Sequence, residues 1–564
     1  MSLTGDAPTR GTPAGESDGS PPAPSALAHQ RLRAPRGDRE VLAIPPMQSV
    51  GALLATVDRS ARCDYDVQGR SLCDLSSLAR RELLASAQHY TSTYRDVPAI
   101  EAGDRILLAG HQPQLFHPGV WFKNFALAAL ARSSQATAVN LVIDTDTLKD
   151  TTLRVPGGSV DEPVARLIPF DDATGEVPFA RRSIRNRRVF EGFGRTAADW
   201  LRPLIDQPLL DAFWPKVVAR SRETSNLGEC LSQARHRLEG EWGNATLELP
   251  QSRVCRFESF HWFVAHVLAH LPRFVTVYNE VVVTYRQLHG IRSANHPVPD
   301  LTREGDWLEA PFWLASDERS DRRHLFARRR GHEMVLSDRY GLEVAVPLAA
   351  ERDADGAVEA LAKLAEQGLQ LQTRALTTTL FARLFLGDLF VHGIGGGKYD
   401  QLTDELVRRF FLLEPPPFMV LSATLYLPVG GWQAVPVDQC EVHQELRALR
   451  FHPERYLDRA LLSADDVTKV EELLATKRRW VATPQTRANA RERCRAICSV
   501  NEALQSFLEK KRRQLTALND EAARRSRAEN ILRWREYAFC LYPEETLREF
   551  FVAAAGRLTP TVAD

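Results

Sequence analysis

Arg105–Asp146 reads RILLAGHQPQLFHPGVWFKNFALAALARSSQATAVNLVIDTD, and this stretch decides the fold class. The apolar run Arg105–Ala109 has the length of a strand, and Gly110 breaks it. Val120–Ala131 is apolar at helical spacing. Ala138–Ile143 is a second buried-strand pattern, ending at Asp144-Thr145-Asp146. Strand, glycine turn, helix and strand make one βαβ unit, which predicts a right-handed crossover between parallel strands.

A second cassette of the same kind lies downstream. Leu389–Val391 runs into HGIGGGKYD (His392–Asp400), then a helical pattern over Gln401–Leu412, the Pro415–Pro417 break and the apolar run Phe418–Leu427. Around these units, helices are predicted at Leu75–Tyr94, Thr196–Phe213, Gln233–Glu239, Phe260–Leu271 and Val358–Leu386. A hairpin is predicted at Leu325–Arg330 and Met334–Leu336. The organisation this implies is a disordered leader over 1–44, rich in Pro, Gly, Ser and Ala, then the first half of the core over 45–155. An inserted, mostly helical region follows over 156–255, then the second half of the core over 256–435. A helical, coiled-coil region over 436–564 closes the chain, its apolar seam running through Ile497, Val500, Leu504, Leu508, Leu515 and Leu518.

The 72 basic and 72 acidic side chains cancel, which removes the electrostatic argument for nucleic acid or an anionic membrane. No stretch reaches the roughly 18 apolar residues of a membrane span. Eight irregularly spaced cysteines fit reduced thiols in a cytoplasm better than a disulfide framework or a metal site.

The GHQPQLFHPG turn stands where the strand-to-helix turn of an α/β sheet meets its ligand. Gly110 permits the turn, Gln112 offers an amide, and Pro118 suits the first position of a helix whose free N–H groups attract anions. His111 and His117 could transfer a proton or bind an anion. Asp144 and Asp146, at the end of the neighbouring strand, could orient a nucleophile, contact magnesium or cap a loop. The second turn supplies amides from Gly393, Gly395, Gly396 and Gly397, with Lys398 and Asp400 beside them. It is not a phosphate loop of the Walker type, since His392 stands at the first glycine position and Tyr399 follows Lys398. Glu309 beside Phe312 and Trp313, with Tyr278 and Tyr285, is a further acidic and aromatic group, of a kind more often found in cores.

Together the blocks GHQPQLFHPGVWFKNFAL and IDTDT, and LFLGDLFVHGIGGGKYDQLTDELVRRFF followed by FMVLSATL, resemble the cysteine ligase family of bacillithiol synthesis (BshC). The resemblance covers much of Ile106–Leu427. It implies a Rossmann-like, nucleotidyltransferase-like parallel-sheet core with helical insertions and a coiled-coil arm that makes a homodimer. It also implies ligase chemistry joining cysteine to a sugar conjugate, with a nucleotide (ATP or ADP) and magnesium as candidate cosubstrates. Carried over by position, the ligand-proximal residues are Gly110, Gln112, Asp144, Asp146, Gly395 and Gly396. The chain departs from the family pattern at His111, where glutamine is usual, at Thr145 and Thr147, where an Asp-His pair is usual, and at Lys398 and Asp400. A non-catalytic small-molecule binder of the same fold is the alternative expectation.

Overall fold

The computed structural model describes residues 27, 32–57, 59, 62–97, 104–173, 175–291, 298–349, 353–430 and 439–556. Both cassettes belong to one sheet. Its strands and flanking helices, in chain order, begin with β1 (Glu40–Ile44), α1 (Leu72–Ser92), β2 (Ile106–His111), α2 (Pro118–Ser133), β3 (Thr137–Val142) and β4 (Leu247–Pro250). A second sheet follows as β5 (Trp307–Ser316), β6 (Arg322–Arg330), β7 (Glu333–Ser337), β8 (Glu343–Pro347) and β9 (Leu369–Thr373). The chain then returns to the first sheet with β10 (Leu389–His392), α3 (Ile394–Leu406) and β11 (Phe418–Thr424).

The first sheet has the order β1-β11-β10-β2-β3-β4, with every pair parallel except β1 on β11. Its middle strands are apolar without alternation because both faces are covered. Ile106 and Leu108 pack into the core that holds α1 and the helix Glu258–Ala269. Leu107 and Ala109 pack into the opposite core, with Trp121 and Leu127 of α2. From β2 the chain winds towards β3, and from β10 it winds towards β11. The winding reverses between β2 and β10, the position where open α/β sheets leave a crevice.

A buried carboxylate ties the other ends of these two strands. Asp388 accepts hydrogen bonds from the amide of Ile106 at 2.9 Å, from Arg59 Nη2 at 2.8 Å and from Arg80 Nη2. Asp388 N in turn donates to Ile106 O at 2.8 Å. At the far side of the sheet, a Cβ on Gly119 would fall 2.0 Å from Ala423 O. Only glycine lets the start of α2 rest on β11 so closely.

Several elements differ from the sequence reading. Residues 1–26 and 28–31 of the expected leader lie outside the described residues. Its last part is folded: Leu32 is buried and Glu40–Ile44 is an edge strand. The region read as a helical insertion opens with a β-hairpin (Thr152–Gly158 with Pro163–Pro169) and ends in β4, a strand of the main sheet. The helical run read over Val358–Leu386 is interrupted by β9, which pairs with β5. Gly368, at φ +81°, turns the chain after the helix Asp355–Glu366, and LQLQT then alternates with the period of a strand. Cys63 and Cys73 form a disulfide with Cα atoms 4.8 Å apart, so the expectation of reduced thiols throughout fails there.

The C-terminal helices Gln439–Phe451, Ala464–Ala482, Ala490–Leu504 and Glu509–Leu532 pack on one another. Val500, Leu504, Leu508 and Leu515 of the expected seam are buried among them, while Leu518 is exposed. Among the described residues, no helix is long and apolar enough to cross a membrane.

Replacing Asp388 by alanine should cost about 3–5 kcal/mol of unfolding free energy, because the Arg80 guanidinium and the Ile106 amide lose a shared buried acceptor. Denaturant unfolding of the variant would measure it, and a loss well under that range would show that water replaces the carboxylate.

Candidate functional site

At the reversal point between β2 and β10 lies a cavity of about 470 Å³. Two helices start there. His117 caps α2, its Nδ1 accepting the Gly119 amide at 3.1 Å, and Gly393 is the N-cap of α3. The first turn of α2 has its N–H groups engaged, with Gly119 N on His117 Nδ1 and Val120 N on His117 O at 2.9 Å, so the α3 start is the one that offers first-turn N–H groups; both helix dipoles place positive potential at this end.

Lys123 joins the two starts. It stands one turn inside α2, is 3 % exposed, and donates from Nζ to Gly110 O at 3.1 Å. A Cβ on Gly393 would lie 3.9 Å from the same Nζ. The ammonium therefore sits between the C-terminal ends of the two central strands. Burial lowers its pKa to about 8. Burial also lowers His117 to about 3, with Arg535 and Lys123 adding to the effect, so His117 is a neutral acceptor here. Lys398, Arg33 and Arg535 line the same cavity, with Glu536 as the acidic group among the described lining residues.

The glycines of the second turn divide by role. Nothing lies within 4 Å of a Cβ placed on Gly395, and Gly393 meets only the Lys123 side chain. Packing does not require glycine at either position, and both border the cavity. A Cβ on Gly396 would reach 2.6 Å from His392 Nδ1, and on Gly397 2.3 Å from Val420 Cγ2. Those two are glycines because α3 lies against β10 and β11. The expected turn over Gly393–Lys398 is thus a helix start, with helix from Ile394.

The remaining expected residues are not assembled at this cavity. His111 is the last residue of β2, 7 % exposed, with its ring edge-on to Phe116 at 4.8 Å. Burial, then Arg235 and Lys123, hold its pKa well below the usual range. Asp144 accepts Ser252 N at 2.8 Å and Ser252 Oγ at 2.5 Å, which caps the short helix after β4. Burial raises its pKa to about 6. Asp146 accepts from Gln112 Nε2, from Thr147 N at 2.8 Å and from Arg322 Nη2 at 3.0 Å, and it lines a different cavity. Asp400 is buried, with Arg383 Nη1 at 2.7 Å and His392 Nε2 at 2.9 Å. Burial alone would raise its pKa, but these partners hold it below the ordinary carboxylate value.

His236, Glu239 and Glu248 place ligand atoms within 4.8 Å of one another, the spacing of a metal site. The position is already held by a cation. Arg235 donates to Glu248 Oε1 at 2.6 Å and to Glu239, while Trp121 Nε1 and Asn124 Nδ2 complete the Glu239 carboxylate at 2.6 and 2.8 Å.

Lys123 and Arg535 were not among the residues singled out from sequence. A polar pair, Lys123-Asn124, inside an otherwise apolar helix was the available signal for the first. The second had none, since its segment reaches the cavity only in the folded chain. No protein-family model matches this chain, and no curated protein matches it either.

Lys123 has a stated consequence for stability. Its folded pKa of about 8 lies below the ~10.4 of an exposed lysine. Between those values the unfolded state binds more protons, so the stability due to Lys123 rises with pH across that window. Unfolding free energies of the wild type and Lys123→Met, measured at several pH values, should differ by an amount that moves in favour of the wild type from about pH 8 upward. A difference that stays flat would mean the ammonium is hydrated.

Proposed function

We propose that the cavity between β2 and β10 binds the phosphate groups of a nucleotide cosubstrate. On this reading the chain is a cytoplasmic enzyme that activates or joins a small polar metabolite, the ligase-type chemistry that the resemblance to BshC implies. The observation that carries the reading is the buried Lys123 ammonium, set where two helix N-termini converge. The α3 start at Gly393–Gly395 supplies the backbone N–H groups that bind phosphate, and α2 contributes its dipole. A cation fixed in a water-poor site stabilises charge that develops on a transferred phosphoryl group or on a leaving pyrophosphate. Lys398, exposed at the rim, would meet the outer phosphate oxygens. Gly393 and Gly395 let those oxygens approach the backbone. Magnesium would enter with the nucleotide, bound mainly to phosphate oxygens and water.

A binding protein without turnover is the second reading. It is favoured by one observation: His111 and Asp144 are occupied by packing and capping, so the expected catalytic group is dispersed.

Thermal denaturation with ATP, ADP and inorganic phosphate, with and without magnesium, tests the first part. A ligand that binds only the folded state raises the midpoint, by about 2.7 kcal/mol of stability at a hundred times Kd. The wild type should shift with ATP. Lys123→Met should lose the shift, Lys398→Ala should reduce it, and Gly395→Leu should block it while remaining folded. No shift in the wild type, or an equal shift in Lys123→Met, overturns the reading. Binding of ATP without release of phosphate or pyrophosphate on addition of amino-sugar conjugates and cysteine would favour the second reading.

A further inference from the structure

The second cavity, the one that Asp146 borders, has a volume of about 470 Å³ and shares no lining residue with the first. It lies where the C-terminal end of β3 faces β5, β6 and the turn after β9. Its wall carries an aromatic side chain surrounded by cations. The Cζ atoms of Arg322 and Arg374 are 4.4 and 5.1 Å from the ring centroid of Trp313. The His324 ring stands edge-on to the same indole at 4.8 Å.

Behind His324 is a fully engaged carboxylate. Glu309, 2 % exposed, accepts His324 Nδ1 at 2.6 Å, Arg374 Nη1 at 2.6 Å, Thr302 Oγ1 at 2.7 Å and Thr302 N at 3.0 Å. Burial would raise its pKa, but the hydrogen bonds from His324 and Thr302 and the Arg374 charge bring it down to about 2. Glu309 is therefore ionised and can only accept, so Nδ1 of His324 carries the proton. The neutral ring then has its lone pair on Nε2. The His324 side chain is 46 % exposed and borders the cavity. A carboxylate behind the imidazole, fixing its tautomer, is the arrangement by which a histidine becomes a directed proton acceptor.

The charges select the ligand. Lys149, Arg322 and Arg374 line the cavity against Asp146, with Glu309 behind. That leaves a net positive wall for an anionic group. Trp313, Pro299, Pro311 and Leu376 supply an apolar surface for a small carbon skeleton. The volume falls within the usual range of small-molecule sites.

We propose that this cavity is a second ligand site, for a small carboxylic acid bearing an N–H, O–H or S–H group, and that His324, oriented by Glu309, accepts a hydrogen bond from that group at Nε2. Glu309 holds the Nδ1–H, so Nε2 keeps its lone pair towards the cavity. The carboxylate of the ligand rests against Arg374 and Lys149. This proposal does not depend on the phosphate reading of the first cavity.

The test is NMR of the full chain with labelled histidine, the His324 signal assigned through His324→Gln. Long-range nitrogen–proton spectra should show the Nδ1–H tautomer. L-serine and L-lactate should each shift the Nε2 resonance. Ethanolamine, which keeps the amine and hydroxyl of serine without its carboxylate, should not. Lys149→Gln, at an exposed position, should weaken the L-serine response severalfold, and Arg374→Gln should abolish it. Lys123→Met should leave it intact, which separates this site from the first. An Nε2–H tautomer, a resonance unmoved by both acids, or an equal response to ethanolamine overturns the proposal.

Discussion

The parallel pairing of Ile106–His111 with Leu389–His392 is the constraint on which the rest of the molecule turns. These strands are distant in sequence, and their contact closes a very long loop. The closure is held at one end by Asp388, which gathers two arginines and the first amide of the neighbouring strand. At the other end the same pairing brings two helix starts together and buries Lys123 between them. A concentration of positive charge of that kind is unfavourable in itself. The two helices are held in place by close contacts at Gly119, on Ala423 O, and at Gly397, on the Val420 side chain, where no larger side chain fits.

The elements that could be read from sequence are those whose causes are local. Gly110 and Pro118 punctuate the first cassette, and Gly393 with Pro415–Pro417 punctuates the second, so their strands and the first helix are found close to where they were expected, while the second helix begins at Ile394, seven residues before the expected start. β4 could not be recognised, since a four-residue strand is defined only by its place beside β3. β9 carried its own alternating signal, which the long leucine-rich run around it obscured. The difference between Asp144 and Asp146 is not written near either residue. One is claimed by Ser252 and the other by Arg322, both more than a hundred positions away.

Charged side chains in this interior differ in whether an opposite charge faces them within the fold. Asp400 and the Arg235–Glu239–Glu248 cluster have their charges opposed within the fold, as buried ion pairs must. They specify geometry and offer little to a ligand. Lys123 faces no carboxylate in its hydrogen bonding and spends its one bond on a carbonyl. His324 has one nitrogen fixed by Glu309 while its side chain borders open space. Bordering open space, more than residue type, distinguishes these two side chains from the buried polar groups around them.

The first cavity also takes part of its wall from places far apart in the order of synthesis. Leu32–Ala34 enter from one side and Arg535-Glu536 from the other, after the chain has passed through the whole C-terminal helical region. Arg535 is placed by its bond to Ala423 O, and the segment that follows is fastened by Phe539 to Phe116 and by Tyr542 to Leu425. The same segment covers α2, with Phe539 and Phe551 on Trp121, so the pocket wall and the core under Lys123 are completed by one stretch of chain. The last part of that wall closes only with the return of residues 535–542 to the sheet.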